Sequence, residues 1–429
     1  MKKITATAVG LLSASSLCAQ TLFDLAPSEE TSESLPLTWV VGASLGYDDN
    51  PTPIGNNSNE SAYAVGYVGA SFLSEAPQDR VEFSAQLGYV HYFDSLDYTA
   101  VAAQPATAGA PAQPARVVSV DQSTPTGNLT LNWTRRVSDR LRFSSRNSAG
   151  FEYQPDYSVG TSAARQVGAY LRWSSDNSVG YRWSERLGTY TGIIFSGVDY
   201  DNAAVNGNDV SSLTLYNDFR YQLSPQTVAT LTYRYSESNT KGGIADSQNH
   251  YLLAGVEHRF SPNTVGILRA GTQFRSVDGS DNGDTTNPTF EAALNSQVNE
   301  QLSVRAYGRY AIEDYSRLVN ENVYDDTNTL RIGVTANYRV SQALSLQGGV
   351  NYQFLNYENG TAPAPAPALG TVPAPDLDED LLNAFVGFDL QIAENVYLNG
   401  TYNFEDLGSD NNAREYDRNR FSLGVRATF

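Results

Sequence analysis

Residues 420–429 read RFSLGVRATF. In an extended chain successive side chains point to opposite faces. Phe421, Leu423, Val425, Ala427 and Phe429 then share one face, and Arg420, Ser422, Gly424, Arg426 and Thr428 share the other. One face suits hydrocarbon and the other suits water, which describes a strand standing between the two. The same period of two recurs upstream in segments whose connections alternate short and long. Ser138-Asp139-Arg140, Ser224-Pro225-Gln226, Ser261-Pro262-Asn263, Asn299-Glu300-Gln301 and Ser341-Gln342-Ala343 take turns with polar links of about ten to thirty residues. Hairpins with one quiet rim and one elaborated rim predict an all-β, transmembrane antiparallel up-and-down barrel with short periplasmic turns and long extracellular loops.

The spacing predicts eighteen strands, at 37–47, 62–73, 80–94, 124–136, 140–153, 165–183, 187–200, 210–223, 227–237, 248–260, 264–277, 288–298, 302–314, 327–340, 344–357, 380–392, 396–405 and 417–429. An even count places both termini on the side of the short links. The segment 165–183 is long for a spanning strand, and Ser174-Ser175-Asp176-Asn177 could form a turn. Its alternation stays in phase through Trp173, Val179, Tyr181 and Trp183, which favours a single strand.

Energy sets the phase. An arginine facing lipid at mid-bilayer costs about 2–4 kcal/mol, so central arginines belong on the inner face. Segment 327–340 sends Leu330, Ile332, Val334, Ala336 and Tyr338 one way and Arg331, Gly333, Thr335, Asn337 and Arg339 the other. Applied throughout, the rule predicts pore-lining positions at Arg142, Arg146, Arg172, Arg182, Arg220, Arg234, Arg259, Arg269, Arg275, Arg305, Arg309, Arg331, Arg339, Arg420 and Arg426. The carboxylates Glu82, Glu152, Asp218, Glu257 and Glu291 fall on the same face, together with Glu313, Asp389 and Glu405. Such a wall either discriminates solutes by charge through a transverse field or stiffens the barrel through ion pairs. Aromatics near strand ends read as interfacial girdles: Trp39, Tyr47, Phe93, Tyr153, Trp183, Tyr221, Tyr235, Phe260, Tyr338 and Tyr402.

The N-terminus carries Lys2 and Lys3, an apolar run from Ile4 to Leu17, then Cys18-Ala19 before Gln20. Residues 1–19 read as a secretory signal peptide, and 20–36 as a short acidic periplasmic segment ahead of a barrel at 37–429. Cys18 is the single cysteine. If it leaves with the signal, no disulfide, thiolate metal site or cysteine nucleophile is open to the mature chain. No later stretch reaches the length of about 18 apolar residues that a spanning helix needs. The mean hydropathy of −0.37 fits a barrel, in which half of every strand faces water.

Net charge is −19, from 28 Lys+Arg against 47 Asp+Glu. After the signal the only lysine is Lys241, so arginine carries the barrel's positive charge, while acidic residues gather in the long links. An acidic rim excludes nucleic acid as a partner. Two links, 102–115 (AAQPATAGAPAQPA) and 361–375 (TAPAPAPALGTVPAP), are Pro/Ala-rich and read as extended solvated loops. Asp278, Ser280, Asn282 and Asp284 partly follow a calcium-loop spacing, but Thr289 stands where a bidentate glutamate belongs, so metal binding there is at most weak. His91, His250 and His258 show neither metal-ligand spacing nor a nucleophile motif. The sequence therefore points away from an enzyme and calls for no cofactor.

Repeated units such as 219–237 (FRYQLSPQTVATLTYRYSE) and 256–274 (VEHRFSPNTVGILRAGTQF) resemble those of the putative β-barrel porins of Gram-negative outer membranes. The final strand, with Phe421, Leu423, Val425 and a terminal Phe429, looks like the C-terminal signal that the barrel-insertion machinery reads. The resemblance implies passive diffusion of small hydrophilic solutes, contact with outer-membrane lipid and lipopolysaccharide, and a homo-oligomer. The alternative is a surface-interaction barrel or adhesin working through its acidic and Pro/Ala-rich loops.

Overall fold

The computed structural model describes residues 35–52, 59–101, 116–118, 121–152, 169–201, 209–241, 244–279, 283–314, 317–319, 322–363, 371–411 and 414–429. The signal-peptide reading, Tyr153, the 102–115 link, residues 364–370 of the second Pro/Ala-rich link, and Ser280 and Asn282 of the calcium-like spacing lie outside them.

In chain order the strands are β1 (Leu35–Asp48), β2 (Ser61–Glu75), β3 (Asp79–Tyr92), β4 (Tyr98–Val101), β5 (Arg116–Val118), β6 (Ser123–Arg136), β7 (Leu141–Glu152) and β8 (Tyr170–Arg182). They continue as β9 (Leu187–Tyr200), β10 (Val210–Ser224), β11 (Thr227–Thr240), β12 (Ser247–Ser261), β13 (Thr264–Val277), β14 (Thr285–Gln297) and β15 (Leu302–Ile312). The last are β16 (Leu318–Val319), β17 (Asn322–Arg339), β18 (Leu344–Pro363), β19 (Thr371–Pro373), β20 (Leu377–Ala393), β21 (Val396–Ser409) and β22 (Tyr416–Thr428). The main sheet holds twenty of these. Two short pieces, β16 and β19, sit on long links, and the other eighteen form a ring. β4 and β5 pair apart from it.

Every ring strand is antiparallel to its neighbours, and the ring closes where β1 meets β22, with Val41 opposite Ala427 and Leu45 opposite Leu423. Closure leaves no unpaired edge, which is what lets a sheet exist in lipid. The segment with the ambiguous Ser174–Asn177 run is one strand, β8, in continuous register with β7 and β9.

Most of the short links form because a Ser or Asn at their start caps the turn. The Leu141, Leu187 and Leu344 amides donate to Ser138, Ser184 and Ser341 Oγ, each at 3.1 Å. The Leu302 amide donates likewise to Asn299 Oδ1 at 2.8 Å. Ser and Asn side chains take over a backbone group that a tight turn would otherwise leave unmet.

The two faces separate over most of the wall, with polar Ser145, Asn147, Ser175 and Asn177 interrupting the outer one on β7 and β8. Leu45, Leu87, Val334, Val350, Leu423 and Val425 are exposed on the outside, although they are large and apolar. Trp39, Phe93, Trp183, Tyr221, Phe260, Tyr338 and Tyr402 are exposed near strand ends, where amphipathic rings sit at the headgroups. The buried apolar clusters lie inside the long-link end. Tyr324, Leu355, Tyr357 and Leu377 form one, and Tyr63, Val90, Tyr92 and Leu96 another.

Candidate functional site

The barrel interior is the candidate site, and its positions follow from register. Outward Phe219, Leu231 and Leu215 fix the phase of β10 and β11, so the alternate Asp218, Arg220 and Arg234 turn inward. Cross-strand pairing carries that phase round the wall. Glu82 lies opposite Asn132, Asn132 opposite Arg146, and Arg146 opposite Asp176. Arg142, Glu152, Arg172 and Arg182 share this face by alternation along β7 and β8. Arg269 faces Glu291, Glu291 faces Arg309, and Arg309 faces Arg331. Arg259, Arg275, Arg305 and Arg339 fall on the inner alternation of their strands, as do Arg420 and Arg426 of β22.

These side chains assemble a belt of two ion-pair groups, one around Glu257 and Glu291 and one around Glu313. The Arg220 guanidinium is completely buried, donating to Glu257 Oε1 at 2.8 Å and to Asp218 at 3.0 Å. Arg269 reaches the same Glu257 at 3.1 Å and Glu291 at 3.8 Å. Arg234 meets Glu291 at 3.0 Å, and Glu313 is shared by Arg309 at 3.4 Å and Arg331 at 2.5 Å. The belt runs from β10 to β17, and each carboxylate serves two arginines or each arginine two carboxylates. On the rest of the wall Arg172 pairs with Glu152 at 3.3 Å, Arg146 with Asp176 at 3.7 Å and Arg426 with Asp389 at 2.9 Å. Arg305 and Arg339 have no carboxylate within ion-pair distance among the described residues.

The belt borders a recess of about 300 Å³ lined by Arg146, Asp176, Tyr216, Arg234, Tyr251, Arg269, Glu291, Arg309 and Asp314. Tyr216 donates to Asp176 at 2.9 Å, and its ring lies over Gly192, where a Cβ would come within 2.4 Å of the ring. The glycine allows the ring to lie flat along the wall instead of projecting into the opening.

A second set of ion pairs occupies the long-link end, and sequence reasoning missed it. Asp48, read as part of a solvated acidic rim, is buried and bound by Arg418 Nε at 2.9 Å across the closing seam. Glu379 is likewise buried, with Arg414 donating at 2.5 and 3.0 Å. Arg275 joins Asp314 at 2.7 Å and Asp326 at 3.2 Å, while Arg317 joins Asp325 at 3.0 Å. Burial works against the Asp314 carboxylate, but Arg275 outweighs it and holds its carboxyl below the usual range. Burial likewise opposes the charge on Arg414, and Glu379 more than compensates. The available signal was the arginines at 317, 414 and 418, set within otherwise acidic stretches.

Among the described residues no cluster of His, Cys, Asp and Glu has metal-site geometry. Phe421, Leu423 and Val425 face outward, and Phe429 continues past β22 with its amide donating to Trp39 O at 2.9 Å.

Residues 239–429 match the family model described as putative beta-barrel porin 2. The match takes in nine of the eighteen ring strands, from β12 to β22. No curated protein matches the chain. Among solved structures, OccAB4 of Acinetobacter baumannii is 13% identical, with 93% of this chain and 99% of that one covered at a TM-score of 0.42. OpdK of Pseudomonas aeruginosa, solved with vanillate, is 13% identical over 92% of this chain and 99% of that one, with a TM-score of 0.42. OccK2 (OpdF) of the same organism, solved with glucuronate, is 11% identical over 92% and 98%, again at 0.42. At such scores the likeness lends no weight to any reading of the lumen.

Proposed function

We infer that this porin-type β-barrel, matched over its last nine strands to putative beta-barrel porin 2, passes small hydrophilic solutes passively across the outer membrane. The observation that carries the reading is the closed ring of eighteen strands with a lipid-suited outer face and an inner face of arginines, carboxylates and amides. A ring of that size is wider than its own side chains can fill. The predicted wall positions, from Arg142 to Arg426 and from Glu82 to Glu291, serve in this reading as the lining of the path. The termini and short turns stand on the periplasmic side, and the long links face out.

Most wall arginines are neutralised by a neighbouring carboxylate, so the belt orders water more than it sorts ions by sign. Net selectivity rests on cations without such a partner, Arg305 and Arg339, and gives a mild anion preference. Phe421, Leu423, Val425 and Phe429 serve as the insertion signal.

The test is single-channel recording of the refolded protein in planar bilayers, with the reversal potential measured under a salt gradient. Steady open steps whose reversal potential moves toward cations in Arg305→Gln support the reading. A correctly folded barrel that stays silent would overturn it and favour a surface-interaction role for the long links.

A further inference from the structure

The rim of short links gathers arginine in one sector. β6 ends on Arg135 and Arg136, the turn after it carries Arg140, and Arg142 is the second residue of β7. β8 ends on Arg182, and its turn carries Arg186. The two turns are neighbours, because the Arg182 amide donates to Arg140 O at 2.8 Å. Against these six arginines stand three carboxylates, Asp79, Asp139 and Glu185, so the sector is net positive in a chain whose total charge is −19.

Register decides which of them look into the mouth. Asn132 and Arg146 face each other on the inner wall, and alternation puts Arg136 and Arg142 there as well, directly opposite one another. Arg182 continues the inner face of β8 from Asp176, with Gly188 opposite it. Arg135 points outward instead and pairs with Asp79 at 3.8 Å. Arg136, Arg140 and Arg186 are exposed, and none has a carboxylate within ion-pair distance among the described residues. Like charges in facing positions of a sheet repel, so the Arg136–Arg142 pair favours an anion laid against it.

The chain carries a suitable one. β1 starts at this rim, with Leu35 opposite Leu73 close to the end of β2. The fifteen residues ahead of it, 20–34 (QTLFDLAPSEETSES), hold Asp24, Glu29, Glu30 and Glu33 and no Lys, Arg or His. From β1 through β2, β3 and β6 to β7 is four strand spacings, roughly 20–30 Å of wall. Fifteen extended residues span at most about 50 Å, which covers the distance with slack. We propose that residues 20–34 dock on the sector of Arg136, Arg142 and Arg182, laying the chain's own carboxylates across one side of the short-link mouth. Tethering gives those carboxylates an effective concentration of about a millimolar or more, which favours them over free anions. Docked there, they offset the inner-face cations of the sector and screen them from a passing solute.

The inference does not require the barrel to conduct, so cross-linking in isolated outer membranes tests it apart from the channel reading. Ser32→Cys is combined with Asp139→Cys on the β6–β7 turn, or with Glu394→Cys on the β20–β21 turn as the control, both in a Cys18→Ala chain. The control turn is no farther from β1 along the rim, through β22 and β21, and each substitution removes one carboxylate. After mild oxidation the disulfide within the chain is scored by mass spectrometry of linked peptides, on protein that is heat-modifiable on gels. Linkage at Asp139→Cys should exceed that at Glu394→Cys about tenfold, the combined effect of a few exposed ion pairs. It should fall to the control level in Glu29→Gln/Glu30→Gln/Glu33→Gln, and also in about 1 M salt, where the screening length is about 3 Å. Equal linkage at the two turns, or linkage at Asp139→Cys that survives the three glutamine changes, would overturn the proposal. So would its loss in millimolar inorganic phosphate, which would mean that a free anion holds the sector.

Discussion

Removing the Glu257 carboxylate isolates the question of whether the belt is a strut or a wetted lining. The Arg220 and Glu257 side chains are both fully buried, even though the lumen lies alongside. Breaking a buried pair by removing one partner costs about 3–5 kcal/mol, because the remaining charge stays out of water. Arg220 would keep Asp218 at 3.0 Å, which places Glu257→Leu near the lower end, at about 3 kcal/mol. Arg269 also loses a partner at 3.1 Å, but it is 13% exposed and retains Glu291. The double variant Arg220→Met/Glu257→Leu removes both of these charges but leaves buried Asp218 with only Thr232 Oγ1 and Arg269 at 4.0 Å, so it should recover part, and not all, of the loss. The assay is urea unfolding of the barrel in vesicles of fixed composition, comparing midpoints at unchanged slope. A cost for Glu257→Leu below about 1 kcal/mol, the range of exposed pairs, would refute the argument and mean that water reaches Arg220. So would a double variant as unstable as the sum of the two single changes.

Three further outcomes follow from the same geometry. Val425→Arg puts a guanidinium on the lipid face at a position 47% exposed, and should cost about 2–4 kcal/mol in vesicle unfolding; Arg426→Val, on the other face, should not reproduce a cost of that origin. Asp48→Ala strips Arg418 of its main partner at the β1–β22 seam and leaves Glu405 at 3.8 Å, so a loss of about 3 kcal/mol and slower appearance of the heat-modifiable form on gels are expected. Arg275 outweighs burial and holds the folded Asp314 carboxyl below the ordinary aspartate range, so its clamp on Arg275 is fully present above that range and lost as pH falls through the lower folded value. Limited proteolysis of the 313–326 link should accordingly be unchanged from pH 7 to 5 and rise below about pH 4, and Asp314→Asn should raise it at neutral pH.

Faces and turns were legible in the sequence because they are local. A strand's side chains alternate whatever it pairs with, so Phe421, Leu423 and Val425 could be set outward and Arg420 and Arg426 inward from ten residues alone. Ser or Asn at the head of most short links announced the turn for the same reason, since the capping bond spans three residues. Even β8, with Ser175 and Asn177 on its apolar side, kept its phase through the doubtful stretch.

Partners were a different matter. Arg234 reaches Glu291, 57 positions away, and Arg418 reaches Asp48 across 370. These contacts depend on the shear of neighbouring strands and on where the ring closes, which no single segment encodes. For that reason Asp48, Asp326 and Glu379 looked like solvated rim charges in the sequence, and only the folded chain buried them against Arg418, Arg275 and Arg414. The hydrogen bonds among Ser145, Asn147, Ser175 and Asn177 on the outer face likewise exist only once two strands lie in register. Period two settled which way each side chain points, and closure of the barrel settled what it meets there.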